Sequence, residues 1–214
     1  MAVILSERAG TWRQELIRPQ PAAGRRSRFT AGADRAARSA GQIALFAVFG
    51  ICGAMMTALI VPAYSALVRD RVLRAHGVRN VVHRIMRTYV GSMRALRLID
   101  LEIVGLARVP APGSLIVANH PSLIDALILL GHVKGANVVA KRSLQINPFT
   151  SGAIRGADFV VNADALSLID ECRARIAAGE SLVLFPECTR TGDDGVARLR
   201  RGAAHIAVRA GCPV

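Results

Sequence analysis

From Ser39 to Val68 the chain carries no charged side chain, and the centre of this run, Ile43 to Tyr64, is almost wholly apolar. About 20 such residues suffice to cross the hydrocarbon of a bilayer. A domain of this size has too little other mass to cover a helix that is apolar all round, so residues 39–69 are expected to form a membrane-inserted helix. Arginines crowd both flanks, Arg25 to Arg38 before it and Arg69 to Arg87 after it, so the charge bias that orients a span cancels. Pro62 is expected to bend the segment. A shallow or re-entrant insertion, with both basic flanks on the cytoplasmic side, satisfies this tie as well as a full span does.

The 28 Lys and Arg against 15 Asp and Glu give a net charge of +13, nearly all of it arginine because Lys134 and Lys141 are the lysines. Such a field favours anionic partners: lipid headgroups, nucleic acid or an acidic carrier protein. With aromatic residues at 4%, a base-stacking platform for single strands is not expected, and 52% hydrophobic content excludes a disordered chain. Cys52, Cys172, Cys188 and Cys212 form no C-x-x-C pair, so neither a zinc site nor a disulfide framework follows, and reduced thiols are expected.

Residues 1–38 are polar, dotted with Pro and Gly and rich in Arg, and are expected to be a basic flexible arm. Residues 70–98 have the period of an amphipathic helix. Val82, Ile85, Met86, Tyr89, Met93 and Leu96 fall on one side, with Arg79, Arg84, Arg87, Arg94 and Arg97 on the flank and opposite side. Directly after an apolar span, this pattern is expected to lie in the membrane interface. From residue 99 onward short apolar runs alternate with helical stretches. The expected strands are Leu101–Val104, Leu115–Ala118, Val138–Ala140, Phe159–Val161 and Leu182–Phe185. The expected helices are Pro121–Leu130, Asp164–Ala178 closed by Gly179, and Gly202 to Ala210. The fold class is therefore α/β, a mixed and largely parallel sheet with flanking helices, preceded by membrane-associated helices. The α/β domain, residues 99–214, ends where Gly211-Cys212-Pro213-Val214 begins a further strand, as expected of a C-terminally truncated domain.

Two clusters carry reactive side chains, each directly after an apolar strand. Asn119-His120-Pro121-Ser122-Leu123-Ile124-Asp125 places His120 before a proline suited to the first helical position, where a positive helix terminus keeps an imidazole neutral. Asp125 can orient that ring only with His120 off the regular helix, since five helical positions would set the two side chains far apart. A satisfied structural histidine is the alternative. Phe185-Pro186-Glu187-Cys188-Thr189-Arg190 offers a guanidinium for a phosphate or carboxylate, with a salt bridge between Glu187 and Arg190 as the alternative use. His132 and His205 are isolated, and Ser122 lacks the Gly-x-Ser-x-Gly elbow of a serine hydrolase.

Asn-His-x-x-x-x-Asp followed by Phe-Pro-Glu-x-Thr-Arg resembles the glycerolipid acyltransferase family, typified by 1-acylglycerol-3-phosphate (lysophosphatidate) acyltransferases, over about Leu101 to Val214. The resemblance implies a membrane-associated enzyme of the bacterial inner membrane, cytoplasmic face, moving a fatty acyl group from an acyl carrier protein or coenzyme A thioester to a lysophospholipid hydroxyl. It implies His120 and Asp125 as the catalytic pair, with His120 the general base. It implies Glu187, Thr189, Arg190, Asn162 and Lys141 as substrate-binding residues, no metal, no cofactor and no nucleic acid. Gly211 to Val214 is similar to the start of the family's fourth motif.

Two departures bear on the acceptor. Gly156-Ala157-Asp158-Phe159-Val160-Val161-Asn162 has Asn162 where the family's second motif expects a phosphate-binding Arg, with Arg155 nearby in sequence, and Cys188 replaces the usual Gly of the third motif. The Asn variant is similar to acyltransferases of aryl polyene or other specialised lipid pathways, so a non-glycerophosphate acceptor is the alternative. The alternative from another class is a non-catalytic basic protein binding membrane or nucleic acid, which leaves the two ordered motifs unexplained.

Overall fold

A computed structural model describes residues 3–8, 11–16, 28–104, 106, 112–118, 124–162, 164–186 and 201–214. Residues 1–38, expected as a flexible arm, instead contribute an antiparallel pair, β1 (Val3–Arg8) and β2 (Thr11–Leu16), and the start of α1 (Arg28–Met55). The β-forming Val3-Ile4-Leu5 and Thr11-Trp12 favour the first, and the alanines between Thr30 and Ala40 carry the helix upstream of the apolar run.

The apolar run itself is helical over Ser39–Leu67, 29 residues long and sufficient to cross a membrane, with only 11% of its most apolar stretch buried inside the protein. It is not one regular helix. α1 passes into a π turn, Met56–Ile60, and then α2 (Val61–Leu67). The Val61 N–H reaches back to Met56 O, one residue further than in an α-helix, just before Pro62, which has no N–H to give. Thr57 sits in this turn. Its Oγ1 donates to Gly53 O (3.1 Å) and accepts from Gly152 N (3.2 Å), tying the apolar helix to the domain.

α3 (Arg71–Ala95) starts at Asp70, whose carboxylate accepts from Leu73 N at 2.8 Å. Its apolar stripe is spent inside the protein rather than at a lipid interface. Val78 and Val82 are buried among Leu130, Val133, Ala136 and Val138, and Ile85 and Met86 pack on the same core. Tyr89 and Met93 close on Leu45 of α1. Leu96 stays exposed, and Arg79, expected on the solvated flank, is buried. The expected interfacial helix is thus a packing helix: α/β domains need an apolar wall on each sheet face, and α3 supplies one.

The sheet follows: β3 (Leu115–Val117), α4 (Ile124–His132), β4 (Asn137–Val138), β5 (Ala140–Lys141), α5 (Arg142–Ile146), α6 (Ser151–Gly156), β6 (Val161–Asn162), α7 (Ala165–Ala177), β7 (Leu182–Leu184) and α8 (Gly202–Ala210). β3 and β4 both pair in parallel with β7, and β5 pairs in parallel with β6. β4 and β5 are joined by Val139 alone. Val139 N donates to Val183 O on one side and Ala140 N to Val160 O on the other, so the strands run β3, β7, β4/β5, β6 across one parallel layer. Four of the expected strands lie here within two residues of their expected bounds. Leu101–Val104 does not: it has no regular secondary structure and is mostly exposed, with no pairing partner among the described residues.

Asp164 caps α7 through Ser167 N (3.0 Å), and Gly179, at φ +85°, ends it as expected. α8 ends at Gly211, φ +57°. The tail beyond follows the edge of β3, with Pro213 O accepting from Leu115 N at 2.9 Å. A second core of Leu115, Val160, Cys172, Ile176, Leu182, Leu184 and Ile206 fills the face under α7 and α8.

Candidate active site

In a parallel α/β layer the carboxyl ends of the strands share one edge, where the chain turns from strand to helix and leaves backbone and side chains free for chemistry. Here β3 and β7, the strands that lead in sequence to the two motifs, end side by side at that edge. Val117 of β3 stands in register with Leu184 of β7, and Ala118 N donates to Leu184 O at 3.1 Å. The chain leaves β3 towards residue 119 and leaves β7, through half-buried Phe185 and buried Pro186, towards residue 187, at the same level on neighbouring strands. Residues 119–123 and 187–200 lie outside the described residues, so His120, Glu187, Thr189 and Arg190 are not positioned individually. Asp125 is. It is half-buried in the first turn of α4, within which the first motif ends.

Lys141 and Asn162 meet at the same edge. They are register partners at the ends of β5 and β6, both exposed. A cation therefore stands beside the position where the family pattern has arginine. Arg155 does not take that place: its Nη2 points to Gln145 O (3.5 Å) and it lines a cavity with Arg71 and Arg74.

Beyond β5 the chain crosses to α1 at Asn147–Thr150. Phe46, Phe49, Gly50, Ile51 and Phe149 there line an open groove of about 540 Å³ that is mainly apolar. Phe46, Ile51, Ile146 and Phe149 are all exposed, so the apolar surface of α1 continues onto the α/β domain.

The opposite, amino edge of the sheet holds a polar network that the sequence did not announce. Arg79 Nη1 lies 2.9 Å from Glu180 Oε1, and Arg79 Nε donates to Ala157 O at 2.7 Å. Asn137, fully buried, donates to Glu180 Oε2 (2.8 Å) and Asp158 O (3.2 Å) and accepts from Val160 N (3.1 Å). Arg175 reaches Asp158 at 2.7 Å and Arg71 reaches it at 2.9 Å. Burial alone would push both carboxyls up. Hydrogen bonds from Arg175 and Arg71 outweigh it at Asp158, and those from Asn137 and Arg79 outweigh it at Glu180, so both are held below the usual carboxylate range. These groups join α3, α7 and the starts of three strands. Their only sequence signal was an arginine on the flank of an apolar stripe. Cys172, buried, has its thiol pushed up to about 11 by burial and, less, by Glu171, which makes it an inert core residue.

A parallel α/β layer with an apolar helix bound to its side defines the class, an α/β protein. The particular family follows from comparison. Residues 100–214, more than half of the chain, match the Acyltransferase family model, and the chain belongs to that family. It is similar to the 1-acyl-sn-glycerol-3-phosphate acyltransferase of Pseudomonas aeruginosa, 28% identical over 145 residues, covering 64% of this chain and 55% of that protein. It is similar also to the human 1-acyl-sn-glycerol-3-phosphate acyltransferase alpha, 29% identical over 150 residues, covering 66% and 52%. The crystal structure of the 1-acyl-sn-glycerophosphate acyltransferase PlsC from Thermotoga maritima superposes with a TM-score of 0.65 at 26% identity, covering 83% of this chain and 73% of that one. The chain spans about half the length of the curated relatives it matches.

Proposed function

We propose that the protein is a membrane-bound O-acyltransferase that moves a fatty acyl group from an acyl carrier protein or coenzyme A thioester to the hydroxyl of a lysophospholipid such as 1-acylglycerol-3-phosphate. The observation that supports this reading is that β3 and β7, the strands after which the two motifs follow in sequence, are neighbours that end in register. In the step, His120 takes the proton of the acceptor hydroxyl as its oxygen attacks the thioester carbonyl. The C–S bond breaks, and the thiolate leaves and takes up a proton, yielding an ester and a free thiol. Asp125 holds the imidazole in the working tautomer. Glu187, Thr189 and Arg190 orient the acceptor, and Lys141 beside Asn162 supplies the charge that an arginine at 162 would have given.

The apolar helix delivers the lipid. Both its ends are held from the side, Leu45 by Tyr89 and Met93 of α3, and Val61 and Tyr64 by Gly156 of α6 and Gly77 of α3. A perpendicular crossing would drag the arginines of α3 into hydrocarbon, at several kcal/mol each. The reading is therefore a helix lying within one leaflet on the cytoplasmic face of a bacterial inner membrane, with the groove beside Phe149 open to an alkyl tail.

Asn162 favours a second acceptor class, a phosphate-free hydroxylated lipid of the aryl polyene kind. The test is single-turnover transfer in lipid micelles from a labelled acyl thioester, offered lysophosphatidate and then the phosphate-free lipid. His120→Ala is expected to lower transfer by a factor of about 10² to 10⁴. Transfer to lysophosphatidate alone fixes a glycerophosphate acceptor, and transfer to the other lipid alone fixes the specialised one. No transfer to either, or full activity in His120→Ala, overturns the reading.

A further inference from the structure

At the amino edge of the sheet, away from the motif edge, a cavity of about 260 Å³ opens between α2, α3 and α6. Ser65, Arg71, Arg74 and Arg155 line it, with Asp158 in its wall. We propose that this cavity is a second, non-catalytic site that binds the phosphate of an anionic phospholipid headgroup.

The charge balance points there. Asp158 is the one acidic residue of the lining, and it is already shared between Arg71 (2.9 Å) and Arg175 (2.7 Å). The next carboxylate along the chain, Asp70, is occupied in capping α3. Arg74 and Arg155 bind only main-chain carbonyls, Val68 O at 3.3 Å and Gln145 O at 3.5 Å, and among the described residues no carboxylate lies within ion-pair distance of either. Each guanidinium carries five N–H donors, so most of this pair's capacity remains for a ligand, and forked donors match phosphate oxygens. The surroundings decide between a free anion and a lipid. The cavity sits where the apolar helix ends, and Leu67, Val72 and Leu73 beside it are 83%, 60% and 66% exposed. Aliphatic side chains around a cluster of arginines match a bilayer surface, where acyl chains meet anionic headgroups.

The test is isothermal titration calorimetry on the full chain in neutral detergent micelles. An Arg190→Gln background removes the anion contact proposed at the motif edge. The titrants are dihexanoyl-phosphatidylglycerol, dihexanoyl-phosphatidylcholine and inorganic phosphate. The anionic lipid is expected to bind at least tenfold more tightly than the zwitterionic one, and Arg74→Gln with Arg155→Gln is expected to weaken it at least tenfold. Should the double variant lose its fold by circular dichroism, Arg155→Gln alone, at an exposed position, carries the comparison. Equal binding of the two lipids, or an unchanged isotherm in the variant, overturns the site. Inorganic phosphate binding as tightly as the anionic lipid retains the anion site and overturns its assignment to lipid. No turnover is read, so the outcome stands apart from that of the transfer assay.

Discussion

α1 and α3 lie side by side and invert the usual relation between apolarity and burial. α1 is charge-free from Ser39 onward, yet Ile43, Phe46, Ile51 and Met55 are exposed. α3 has six arginines and yet buries Val78, Val82, Val90 and even Arg79. In one solvent this would be a misfold, because apolar area removed from water is the main favourable term in folding. With two solvents it is consistent. The domain buries α3 to fold, and α1 leaves exposed an apolar stretch long enough to cross a bilayer.

The comparison breaks most sharply at Arg79. Arg79→Ala would remove the buried guanidinium and leave the Glu180 carboxylate to Asn137 (2.8 Å) and Arg175 (3.6 Å), and the expected cost is about 3 kcal/mol of unfolding free energy, read by denaturant titration in micelles. A loss under 1 kcal/mol would mean that water reaches the network. The next effect separates the two helices by readout. Phe46→Ser with Ile51→Ser is expected to weaken partitioning into vesicles by about 2 kcal/mol, roughly thirtyfold, with the melting temperature unchanged. Val78→Ala is expected to do the reverse, costing about 2 kcal/mol of stability with partitioning unchanged. The same signature from both variants would erase the distinction. The smallest effect is on pH. Asp158 and Glu180 titrate lower folded than unfolded, so their contribution is full above the ordinary carboxylate values of 3.8 and 4.5 and is lost as pH falls through the depressed ones. Melting temperature should therefore fall on acidification below about pH 4.5 in the parent, and less steeply in Glu180→Gln.

What the sequence disclosed follows from the range of the interactions. The starts of β3 and β7 and the whole of α8 were legible because continuous apolar runs and a closing glycine are local signals. That the strands leading towards both motifs end at one edge follows from strands that alternate with helices. Arg79 was not, because its partners arrive from Ala157 and Glu180, far along the chain, and a buried arginine looks like a solvated one until they do. Leu101–Val104 has a strand's composition, but strand pairing is decided elsewhere in the fold. Asn162 looked like a bare loss of charge until β5 set Lys141 opposite it.

The handover at Val139 sets a limit on how this gene can vary. One residue carries the strand from β7 on one side to β6 on the other. Inserting or deleting a residue there would turn Ala140 outward and Lys141 inward, because side chains alternate with a period of two. The two sheets would survive separately, but the lysine would face the core and the position beside Asn162 would be neutral. Length at this joint is therefore under tighter constraint than amino-acid identity. Val139→Ile keeps the register, whereas a change in the count of residues between Asn137 and Lys141 shifts it.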